Sequence, residues 1–83
     1  MNRITVEIYL PAAERAFDVS IPADVPLRQV TELAAKNLSE LSDGLYQADE
    51  TSVLCDRSSG AFLNANMMVW ELGLKNGSQL MLI

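Results

Sequence analysis

From Arg3 to Leu10 apolar and polar residues alternate. Ile4, Val6, Ile8 and Leu10 fall on one face of an extended strand, and Arg3, Thr5, Glu7 and Tyr9 on the other. Pro11 to Glu14 interrupt the pattern. It resumes in RAFDVSI, with Phe17, Val19 and Ile21 facing inward, so the two runs predict an antiparallel hairpin. After PADVP the period changes. Leu27, Val30, Leu33, Ala34, Leu38 and Leu41 recur at helical spacing and are expected to face the core, with Arg28, Gln29, Glu32, Lys36 and Glu40 outside. Pro26 suits a first helical turn, and Asp43-Gly44 closes the helix.

Beyond the helix the signals shorten. Leu45 to Glu50 reads as loop, TSVLCD as a short strand, RSSG as a turn, and Ala61 to Leu63 as a further short strand. NANMMVWELGL holds a helical turn that drops Val69, Leu72 and Leu74 into the core. Asn76-Gly77 is a turn signal feeding a last strand, SQLMLI. Strands before and after one long helix predict an α+β fold, a sheet of four to five strands with the helix across one face.

With 83 residues, 49% of them hydrophobic, residues 1–83 are expected to be a single domain with one core. The net charge of −5 has the wrong sign for neutralising phosphates, so no nucleic acid is expected as a partner. No apolar run approaches the roughly 20 residues of a membrane span, and none has the form of a signal peptide, so direct membrane insertion is not expected. With a single cysteine, Cys55, these features point to the cytoplasm.

Catalytic chemistry finds little to work with. The chain has no histidine, and the acidic pairs Glu40/Asp43 and Asp49/Glu50 sit where side chains face solvent. Cys55 lies in an alternating run beside Val53 and is expected to face inward as a small hydrophobe. One cysteine without histidine makes no zinc set, and the glycines form no phosphate-cradling loop. No enzyme activity, cofactor or metal is expected.

FDVSIPADVPLRQVTELA and WELGLKNGSQLMLI carry a resemblance that extends over nearly the whole chain. The first is a hairpin leading through a short acidic loop into the helix. In the second, an apolar residue and a turn precede the last strand. Both resemble the ubiquitin-like β-grasp fold, and within it the chain is most similar in length and ending to the YukD/EsaB family. The resemblance implies a non-conjugated binding or adaptor protein, an accessory cytosolic subunit of a Gram-positive type VII secretion system. Its implied partner is a cytosolic domain of a secretion-system membrane protein or ATPase, which would hold it at the inner face of the membrane. A self-associating homodimer or a regulatory module unrelated to secretion is the alternative. A modifier or sulfur carrier is disfavoured, because Leu82-Ile83 stands where such proteins carry Gly-Gly.

In the β-grasp arrangement the strand of Leu54 neighbours the last strand. With Leu80 and Leu82 under the helix, Met81 and Ile83 project from the opposite face. Leu54, between inward Val53 and Cys55, is expected to join them there. Leu54, Met81 and Ile83 are therefore the candidate protein-binding patch, with Trp70 as a second anchor.

Overall fold

A computed structural model describes residues 2–83. The predicted hairpin forms β1 (Arg3–Leu10) and β2 (Arg15–Pro22), paired from Arg3–Pro22 to Leu10–Arg15. The helix, α1 (Leu27–Leu41), follows, then β3 (Leu54–Asp56), a 3-10 turn (Val69–Leu72) and β4 (Gln79–Leu82). The sheet order is β2-β1-β4-β3, with β1 and β4 parallel at its centre and both outer pairs antiparallel. This is a mixed four-stranded sheet with one helix, the ubiquitin-like β-grasp. The strand expected at Ala61–Leu63 contracts to a single bridge between Phe62 and Cys55.

Val6, Ile8 and Leu10 from β1, Ile21 from β2, and Leu80 and Leu82 from β4 form the sheet's half of the core. Phe17, Val19 and Ile4 pack against its margin and are only partly covered. Leu27, Val30, Ala34, Ala35 and Leu38 supply the helix's half, and Val69 closes the core from the 3-10 turn. Two helix positions depart from the sequence expectation. Leu33 and Leu41 are exposed, Leu33 by 59%, whereas Thr31 and Ala35 are buried. The helix presents the arc running through Leu27, Thr31, Ala34, Ala35 and Leu38, which puts Leu33 on its flank. Thr31 enters the core because its hydroxyl donates to the Leu27 carbonyl at 2.9 Å, leaving no unpaired polar atom.

The helix ends are secured by other parts of the chain. Pro26 is the N-cap rather than a helical residue, and the first free amides, Leu27 and Arg28, donate to the carbonyls of Met67 and Ala65 at 2.9 Å each. Asp43 and Gly44 both adopt left-handed backbone after the helix, with φ 55° and 80°. The loop beyond contains a core residue that its weak pattern hid. Tyr46 is buried, its phenol donating to Ser52 Oγ at 2.6 Å and its amide to buried Ser42 Oγ at 3.1 Å.

Candidate functional site

The sheet face away from α1 carries the side chains of opposite parity. Residues paired across strands share a face, so the register can be followed strand by strand. Phe62 stands beside Cys55, Cys55 opposite Met81, Met81 beside Tyr9, and Tyr9 opposite Ala16. These five positions form one row across the whole sheet. Val53 and Ile83 form a parallel apolar step, joined by reciprocal hydrogen bonds of 2.9 and 3.1 Å. On the other side of the row the face turns polar with Gln79, Glu7 and Asp18.

The same register corrects the patch expected from sequence. Leu54 pairs with Leu82, not Met81, and is 2% exposed within the core. Cys55 takes the open-face position instead. VLC is apolar at three successive residues, so its own pattern does not set which parity faces inward; β4 does. Met81 and Ile83 lie on the open face as expected, Met81 half-buried and Ile83 45% exposed. Trp70 is 62% exposed but stands apart, its amide bound to the Ala23 carbonyl beyond the end of β2. The structure therefore brings together Met81 and Ile83, and not Leu54 or Trp70.

Three residues that sequence reading did not assign to the patch complete this face. Phe62, 70% exposed, extends the row past β3. Tyr9 is its β1 member, a position that its outward parity already gave. Arg57 joins Tyr9 to the polar border: its guanidinium lies 4.2 Å from the centre of the Tyr9 ring and 2.7 Å from the Glu7 carboxylate. This stack holds a cation and an aromatic ring in fixed geometry beside the apolar row.

The cysteine on this face is poorly placed for covalent chemistry. Cys55 is completely covered, and burial pushes its thiol above the ordinary value, away from the thiolate needed for attack. Among the described residues no cluster of three or more metal-ligating side chains occurs, and no buried side-chain polar atom lacks a hydrogen-bond partner.

Comparison with known proteins places the chain in a family. Residues 2–82 match the family described as WXG100 protein secretion system (Wss), protein YukD. The chain belongs to the YukD family. It is thus a ubiquitin-like component of the WXG100, or type VII, secretion system. No curated protein is significantly similar in sequence to this YukD-family chain. Among solved structures, the ubiquitin-like domain of the Mycobacterium tuberculosis type VII secretion system protein EccD1 superposes with a TM-score of 0.81 at 22% identity, covering 100% of this chain and 99% of that one. The EccD5 ubiquitin-like domain from Mycobacterium xenopi gives 0.83 at 19%, covering 100% and 94%. A chain of the MycP5-free ESX-5 inner membrane complex gives 0.82 at 20%, with this chain spanning only 21% of its length. At these identities the structural likeness establishes the fold the YukD family shares with them. Among the described residues no helix of the YukD-family chain is long and apolar enough to cross a membrane.

Proposed function

We propose that this YukD-family protein works by recognition alone, docking its open sheet face onto a cytosolic domain of a secretion-system membrane protein or ATPase. It would act in the cytoplasm, held at the inner face of the membrane through that partner. One observation carries the reading: Phe62, Met81 and Tyr9 stand in one cross-strand row, joined in register through buried Cys55, with Ile83 beside it and the Arg57–Tyr9 stack at its polar border. Interface cores favour aromatic, methionine and arginine side chains over lysine and aspartate, and this row has that composition. Similarity in fold to a chain of an inner membrane complex supports the choice of partner.

The test is affinity capture from the native cell with wild type and with Phe62→Asp and Met81→Glu variants, each checked for folding by thermal melting. Both variants are expected to stay folded and to lose the secretion-machinery partner. Folded variants that capture it as well as wild type would falsify the open-face reading. Trp70 is proposed as a separate contact at the far end of the molecule. Trp70→Ala tests it alone, and full retention of the partner would remove it.

A further inference from the structure

On the opposite side of the sheet, α1 leans toward β2, the strand it approaches most closely. This leaves a groove of about 760 Å³ between α1 and the β3 side, within the range of about 300–1,000 Å³ usual for binding clefts. Its floor is apolar, formed by Leu27, Ala35, Leu54 and Leu63. The hollow exists because α1 places Thr31 and Ala35, both small, on that flank, while β3 ends after three residues.

The two walls differ in charge. Arg28 and Lys36 line the α1 wall about 12 Å apart along the helix axis, with Glu32 between them. Asp49 and Glu50 line the loop wall. None of these five joins the ion pair found among the described residues, Arg57–Glu7. Asp49 accepts hydrogen bonds from the Thr51 hydroxyl and amide at 2.6 and 2.7 Å. An occupying β-strand would need free edge amides and carbonyls, and the β3 edge has few. Asp56 N–H donates to the Ala61 carbonyl at 2.9 Å and Leu63 N–H to the Leu54 carbonyl at 3.1 Å, so residues 61–63 already cover that edge. A helix satisfies its own backbone and needs only the floor and the walls. The groove's three acids and the protein's net charge of −5 weigh against an anionic membrane surface.

We infer that this groove seats an amphipathic helix of a partner protein. Its apolar stripe lies on the Leu27–Ala35–Leu54 floor, with an acidic flank against Arg28 and Lys36 and a basic flank against Asp49 and Glu50. The groove is on the helix side of the sheet, so this inference and the open-face reading stand or fall separately.

The probe is a stapled helical peptide of about three turns, with a leucine stripe, glutamates on one flank and lysines on the other. Two controls keep the stripe and carry only lysine or only glutamate. Nitrogen-15 NMR titration of the full chain is expected to show the mixed-flank peptide binding about tenfold tighter than either control. The shifts should centre on Thr31, Ala35 and Leu63, leaving Tyr9 and Met81 unmoved. Changing the exposed Arg28 and Lys36 together to Glu makes both walls acidic and should transfer the preference to the all-lysine peptide. Equal binding of all three peptides, no binding at millimolar concentration, or shifts mapping to the open sheet face would each overturn the inference. So would anionic vesicles, or a second copy of this chain at raised concentration, perturbing the same amides in place of the peptide.

Discussion

Arg57 ties the polar border of the open face to its aromatic end. Its ion pair with Glu7 is partly solvated, the side chains being 38% and 31% exposed, so it holds geometry more than it stabilises the fold. Arg57→Ala is expected to cost no more than about 1 kcal/mol in denaturant titrations, while weakening any contact that relies on an ordered Tyr9 ring. Leu54 should behave in the opposite way. It is buried against Leu82 in register, so Leu54→Ala is expected to destabilise by about 2–5 kcal/mol, a loss read as a lowered melting temperature. Cys55 is also covered, and burial raises its thiol above the ordinary 9.0. The unfolded thiol therefore ionises first. Its contribution to stability is complete below the unfolded value and falls as pH rises toward the folded one. Iodoacetamide at pH 8 should leave folded Cys55 unmodified and alkylate it once denaturant is added; rapid native-state alkylation would show that Cys55 is accessible in the folded sheet.

At the scale of the element, α1 separates apolar character from burial. Leu33 and Leu41 match the helical period as well as Leu38 does, yet only Leu38 is buried. Leu33→Lys is expected to change stability by no more than about 0.5 kcal/mol. Leu38→Ala should cost about 2–5 kcal/mol. Equal losses at the two positions would mean that the helix is rotated from this orientation. The loops around β3 are held by carboxylates. Hydrogen bonds from Thr51 hold Asp49 below the ordinary 3.8, and those from Ser59 and Ser58 do the same for Asp56. A carboxylate lowered in the folded state stabilises it above its unfolded value, and that contribution is lost as pH falls through the folded value. Both loops should therefore keep their amide protection near neutrality and lose it in acid below 3.8, a window that NMR titration of the two carboxyl groups can read.

For the molecule as a whole, the central parallel pair decides the architecture, because β1 and β4 stand at opposite ends of the chain. Asn76 and Gly77 join them. Thr5 N–H donates to Asn76 Oδ1 and Gly77 N–H to the Thr5 carbonyl, each at 2.8 Å, with Gly77 at φ 89°. Gly77→Ala is expected to cost about 1–2 kcal/mol through the left-handed backbone alone, since a side chain there would meet open space. A neutral result by thermal denaturation would mean that the turn can relax without loss.

Asn76-Gly77 was legible as a turn, but its hold on Thr5, a sequence separation of 71, was not. The same division runs through the protein. Strict alternation fixed the two faces of β1 and β2, including the outward parity of Tyr9, because a period of two admits one assignment once half the residues are polar. The helix was legible from its own period of 3.6, which did not tell exposed Leu33 and Leu41 from buried Leu38, and the parity of Leu80-Met81-Leu82-Ile83 followed only once Leu80 and Leu82 were placed under the helix. Val53-Leu54-Cys55 had no polar residue to mark its outer face, so only hydrogen bonding to β4 could choose which residue was buried. The row from Phe62 through Cys55 and Met81 to Tyr9 exists only in the folded sheet. No local period relates positions 9, 55, 62 and 81, and cross-strand register alone makes them neighbours.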